Sequence, residues 1–255
     1  MFDRVVVSCW SEDAELASQL GCAVIINERP ARVGLNNRNL QRLSTSSGLR
    51  WMADQGCTHA LKWRSDMLPT RLDVNLLLSL SREASEFSDY GRIVTCCFRN
   101  LSVTEDWFSS IPDLFSFGSI QAMQLLWAVD PCFSMEKDYN LPPHMEKEVG
   151  YAWTEGQSIE LTGGYFCPET ELYAWFRERV TEMTGRSWNH ESIVRNFFRL
   201  IDHQDLGICW FGPQGFRPIE RAWVHPWWSM SEWRGRRPVL VPIGYKVVHW
   251  WQWFR

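Results

Sequence analysis

The feature that most constrains this chain is the alternation of short apolar runs with amphipathic stretches over its first hundred residues. Val5-Val6-Val7-Ser8-Cys9-Trp10 is a β-rich run. Ser11-Glu12-Asp13 then supplies an N-cap and an acidic first turn for a helix from Ala14 to Leu20, which stops at Gly21. Ala23-Val24-Ile25-Ile26 reads as a second buried strand, closed by the turn residues Asn27-Glu28-Arg29-Pro30. Leu40, Leu43, Leu49 and Met52 recur at helical spacing between Asn39 and Gln55, and Gly56 stands where a helix C′ residue belongs. A strand from Thr58 to Arg64, a helix from Leu72 to Phe87 and a strand from Arg92 to Phe98 continue the pattern. Such a βαβα order predicts an α/β fold, a mostly parallel sheet flanked by helices, with ligands outside the carboxyl ends of its strands.

Beyond residue 130 the pattern loosens at Pro131, Pro142 and Pro143. Helices are expected from Glu169 to Met183, ending at Gly185, and from His190 to Ile201. Of the 16 Trp, Trp210, Trp223, Trp227, Trp228, Trp233, Trp250, Trp251 and Trp253 crowd the irregular C-terminal part. This part reads as a sugar-stacking platform, as an interfacial belt with Arg234, Arg236 and Arg237, or as a cover for the sheet. No linker divides the chain, so 1–255 is expected as a single domain with a nucleotide-binding-like half (1–130) and an acceptor-side, Trp-rich half (131–255).

The net charge of −4 comes without long runs of one sign, which argues against a nucleic-acid partner. The eight Cys lack C-x-x-C spacing, and Cys9, Cys57, Cys96, Cys97 and Cys209 sit in or beside apolar runs, so reduced thiols are expected rather than disulfides or zinc. No stretch reaches the ~18 apolar residues of a membrane span, and the N-terminus lacks the pattern of a signal peptide. A cytoplasmic protein follows, soluble or held peripherally at the inner face of the membrane.

Lys62, Arg64 and Asp66 alternate along the third strand and are expected on one face, a carboxylate flanked by cations at a strand end. That pattern suits a metal–diphosphate site or a solvated ion pair. Arg38 and Arg42, four apart on a helix, either reach a phosphate or face solvent.

The run from Asn37 through Asn39, Gln41, Ser44, Thr45 and Gly48 to Leu49, followed by Lys62-Trp63-Arg64-Ser65-Asp66, resembles the N-x-N-x-Q-x-x-S-T-x-x-G-L … K-x-R-S-D core of the WavE lipopolysaccharide-synthesis family. Asp113 with Phe115-Ser116-Phe117-Gly118, and Glu169 with Glu171 after Pro168, are similar to later segments of that family. The resemblance implies a GT-A-like, Rossmann-like glycosyltransferase of surface polysaccharide assembly, with a nucleotide-sugar donor and a glycan or lipid-linked acceptor. It assigns Asn37, Asn39, Gln41 and Arg64 to the donor, Asp66 to a divalent ion (Mn²⁺ or Mg²⁺), and Asp113 with one of Glu169 or Glu171 to catalysis; Arg42 and Lys62 are expected beside the donor phosphates from their spacing and charge. The family pattern carries a further strand ahead of the part that matches Val5 to Trp10. That departure keeps open a catalytically silent glycan-binding or scaffold protein.

Overall fold

The structure, a computed structural model, describes residues 2–34, 37–83, 85, 89–96, 98–99, 111, 114–129, 142, 168–201, 205–212, 215–218 and 227–228. In chain order the strands are β1 (Val6–Trp10), β2 (Ala23–Asn27), β3 (His59–Trp63), β4 (Met67–Pro69), β5 (Ile93–Thr95), β6 (Phe98–Arg99), β7 (Phe115–Ser119), β8 (Phe198–Leu200), β9 (Ile208–Gly212), β10 (Gly215–Pro218) and β11 (Trp227–Trp228). The α-helices are α1 (Ala14–Ser18), α2 (Arg38–Asp54), α3 (Val74–Ser81), α4 (Ile120–Trp127), α5 (Pro168–Thr184) and α6 (His190–Phe197).

The fold is α/β, with a sheet topology different from the one expected. β1 and β2 pair in parallel around α1, with Val6 opposite Ala23 and Trp10 opposite Asn27. The central sheet, ordered β3-β7-β5-β8, is mixed: β7 runs antiparallel to both β3 and β5, and only β5 and β8 pair in parallel. β4, β9 and β10 form an antiparallel sheet, and β6 pairs antiparallel with β11. A mostly parallel sheet therefore does not describe these ladders. The physical reason is β7, a strand absent from the sequence reading, which enters between β3 and β5 with the opposite direction.

Local chemistry explains where the helices begin and end. At the C-terminus of α2, Gly56 takes φ +73°, its N–H reaches the Ala53 carbonyl at 2.9 Å and the Cys57 N–H reaches Met52 at 3.0 Å. This is a Schellman closure, and Cys57 Sγ lies 3.6 Å from Met52 Sδ as its side-chain contact. Asp73 caps α3 by accepting from the Asn75 and Leu76 N–H groups, so that helix starts at Val74 and is shorter than expected. Asn189 caps α6 through the Ser192 N–H at 2.8 Å. The helix expected to run to Ile201 instead gives way to β8, because Phe198–Leu200 joins the sheet edge beside β5.

Two apolar clusters place the sheet between helical layers. On one face Ala60 and Ile93 pack with Leu49 of α2, Met123 of α4, Phe176 of α5 and Ile193 of α6. On the other, Val94, Phe115 and Phe117 pack with Leu77 of α3, and Leu61 and Trp63 join them. Alternation along β3 thus sends Ala60 to the α2–α4–α5 side and Leu61 and Trp63 to the α3 side.

His59 opens β3 with its ring stacked on Phe117 at 5.8 Å and Nδ1 3.1 Å from the Thr58 hydroxyl. Burial, with a smaller contribution from the Arg82 charge, holds its pKa below the ordinary 6.5. As pH falls through about 6.5 the unfolded chain takes up this proton first, so stability declines until the folded-state pKa is reached. Thermal melts at pH 7.5 and 5.5 are expected to show a smaller acid-induced drop for His59→Phe than for the unaltered chain. An equal drop in both would mean that His59 is not the group responsible.

Candidate functional site

Several element ends meet at one edge of the molecule. α2 begins there with Arg38, α4 ends there with Trp127, α5 begins there with Pro168, and β3 approaches it through Lys62, whose Nζ lies 5.0 Å from the Trp127 ring centre. The cleft between them is lined by Arg38, Gln41 and Arg42 on one face of α2, by Trp127, and by Pro168, Glu169, Glu171 and Leu172 from the first turns of α5. Positions 38, 41 and 42 share a helix face because they are three and four residues apart.

Beside the cleft lies a buried ion triad. Arg38 Nη1 donates to Glu171 Oε2 at 2.7 Å and Arg42 Nη1 to Glu171 Oε1 at 3.5 Å, with all three side chains no more than 3% exposed. Arg42 also donates through Nε and Nη2 to the Ala128 carbonyl, at 3.3 and 2.9 Å, and Arg179 of α5 donates to the same oxygen at 2.9 Å. Arg179 reaches the Leu125 carbonyl as well, at 2.7 Å. Cations thus gather at the C-terminus of α4 and two acidic residues, Glu169 and Glu171, sit in the first turn of α5, each with the sign that the helix dipole favours. The triad ties α2 to α5, and Arg42 and Arg179 tie both to α4.

The other expected site residues fall into separate places. Asn37 is exposed ahead of α2, in the left-handed region at φ 60°, with no capping bond from its side chain. Asn39 is fully buried and its Nδ2 holds the Arg32 carbonyl at 2.9 Å, fastening the preceding loop to the helix. Gly34 in that loop has φ +71°, and an added Cβ would stand 2.8 Å from Arg38 Cγ, so the loop lies close on the first turn of α2. Asp113 lies outside the described residues, as does nearly all of the Trp-rich part.

Arg64 and Asp66 do not continue the face of β3. The strand ends at Trp63, and a turn closed by the Met67 N–H on the Arg64 carbonyl at 3.2 Å leads into β4. Within it Arg64 grips Asp66 with two bonds, Nε to Oδ1 at 2.9 Å and Nη2 to Oδ2 at 2.8 Å, both side chains about one third exposed. In this arrangement both carboxylate oxygens of Asp66 accept from one guanidinium. Among the described residues no group of three or more His, Cys, Asp or Glu could hold a metal.

The two glutamates differ in kind. Glu171 has both oxygens engaged in the buried triad, and Glu169 is half-buried and lines the cleft. Trp127 escaped the sequence reading altogether. The available signal was Ser119, a helix-capping residue before the unbroken helix-forming run Ile120 to Trp127, and its hydroxyl accepts from the Ala122 N–H at 3.1 Å. The cleft measures about 10 Å³, room for about one water.

Fold and site together define an α/β protein with a small cleft at the meeting of three helix ends, beside a buried ion triad. No family model matches the chain, and no curated protein or solved structure matches it either. Among the described residues, Cys9, Cys22, Cys57, Cys96 and Cys209 form no disulfide. No described helix is long and apolar enough to cross a membrane.

Proposed function

We propose that this chain is a GT-A-like glycosyltransferase that moves a sugar from a nucleotide-sugar donor to a lipopolysaccharide or capsule acceptor, at the cytoplasmic face of the membrane. The observation that carries the reading is convergence. Arg38, Gln41 and Arg42, from the segment that resembles the WavE core, share one cleft with Glu169 and Glu171, more than a hundred residues later in the chain. Lys62 of the second motif stands against the Trp127 ring that lines the same cleft.

In this reading the net positive charge of the Arg38–Arg42–Glu171 triad, together with Lys62, opposes the charge that develops on a departing nucleotide. A low-dielectric surround strengthens that field, so the buried guanidiniums act without touching the ligand. Gln41 orients the donor through its amide. Glu169 accepts the proton of the acceptor hydroxyl, a contribution of about 10²- to 10⁴-fold. Peripheral contact with a lipid-linked acceptor is assigned to the Trp-rich C-terminal part.

Calorimetric titration of UDP, GDP and CMP, with and without Mn²⁺, tests donor binding. One nucleotide is expected to bind, about tenfold more weakly to Gln41→Ala, in line with the loss of a hydrogen bond to a charged group. Mn²⁺-dependent binding that disappears in Asp66→Ala would assign an ion to Asp66 after release from Arg64. Failure of every nucleotide to bind a folded chain would contradict the transferase reading. It would favour the second reading, a catalytically silent glycan-binding or scaffold protein, which the nearly filled interior of the cleft supports.

A further inference from the structure

We infer that Glu171 is a positioning residue that acts through Glu169, an inference that rests on the transferase reading above. Its carboxylate is shared between two guanidiniums of α2, at 2.7 and 3.5 Å, and is only 1% exposed. It is therefore placed to fix the first turn of α5 and badly placed to meet an acceptor. Glu169 is two residues earlier in that same turn, half-buried and lining the cleft.

Burying three charges is costly, and the cost is recovered only when geometry is tight. That tightness is what a catalytic carboxylate needs from its support, since a displacement of ~1 Å costs on the order of 10²-fold in rate. The arginines that receive Glu171 are held in turn: Arg42 is anchored on the Ala128 carbonyl, and Arg38 is the first residue of α2. Through this chain of contacts the positions of α2 and α4 set where Glu169 stands.

A double-mutant cycle on nucleotide release (UDP, GDP or CMP) from the corresponding nucleotide sugars separates this role from simple support of the fold. Glu169→Gln and Glu171→Gln are each expected to lower kcat by at least about tenfold, with nucleotide affinity changed less than about threefold. The double variant should be little slower than Glu169→Gln alone, because residues acting as one unit are non-additive. Glu171→Asp, which keeps the charge, should recover part of the rate and serves as the variant to use if Glu171→Gln does not fold. Additive losses, or full activity in a folded Glu171 variant, would overturn the inference while leaving the transferase reading intact. Absence of release by the unaltered chain would sink both.

Discussion

Glu171→Ala is expected to lower the unfolding free energy by roughly 3–5 kcal/mol, the cost typical of removing one partner of a buried ion pair. The magnitude follows from what remains: Arg38 and Arg42, 2% and 3% exposed, would keep their charges in the core without the carboxylate that both contact. Alanine also takes away the bond between the first turn of α5 and α2, so the loss should appear as a lower urea midpoint with an unchanged slope. A contrasting variant in which Arg38→Met, Arg42→Met and Glu171→Leu are combined should be far less harmful than the single change. It removes the desolvation cost together with the attraction, and the Ala128 carbonyl retains Arg179 as a donor. A single-variant loss below about 1 kcal/mol would show that water reaches the triad.

Phe176→Ala is expected to cost about 3–5 kcal/mol, the range for truncating a fully buried aromatic. Phe176 is 0% exposed, and its ring stands edge-on to Phe198 at 5.0 Å and to Phe197 at 5.9 Å. It joins α5 to the junction of α6 and β8, so the void would fall where helix and sheet edge are held together. Met183→Ala on the same helix, at a side chain 41% exposed, should change stability by no more than about 0.5 kcal/mol. Urea unfolding of the two variants checks the packing of α5. Similar losses in both, or a loss below about 1 kcal/mol for Phe176→Ala, would contradict it.

The parts of the fold legible in the sequence are those whose causes are local. β1, β2 and β3 are compact apolar runs, and α2 and α5 carry helical periodicity with stops at Gly56 and Gly185, both at positive φ. β7 was not legible as a strand: Phe115-Ser116-Phe117-Gly118-Ser119 alternates large with small, and nothing in it states which way it will run between β3 and β5. β8 was hidden for a related reason, because Phe198-Arg199-Leu200 extends the apolar pattern of α6 and becomes a strand only by pairing with Ile93–Thr95. Tertiary pairing overrides local preference there.

The site divides along the same line. That Arg38, Gln41 and Arg42 share a face follows from helical spacing alone. That Glu171 is buried between two of them does not, since a carboxylate after a helix-starting proline ordinarily satisfies the dipole in solvent. Its partner lies 133 residues away, and only the packing of α5 on α2 brings the two together. Lys62, Arg64 and Asp66 looked like one strand face by parity. The turn after Trp63 separates them, and Lys62 turns to Trp127, a residue no local pattern connects with it.

The most direct test of the central claim is product analysis. The chain would be incubated with UDP-, GDP- and CMP-sugars and a lipopolysaccharide or lipid-linked glycan acceptor, and the acceptor would then be weighed by mass spectrometry. A gain of one sugar residue from a single donor class, lost in Glu169→Gln, is the predicted result. An unchanged acceptor and intact donors, in the presence of a chain that melts cooperatively, would contradict the account.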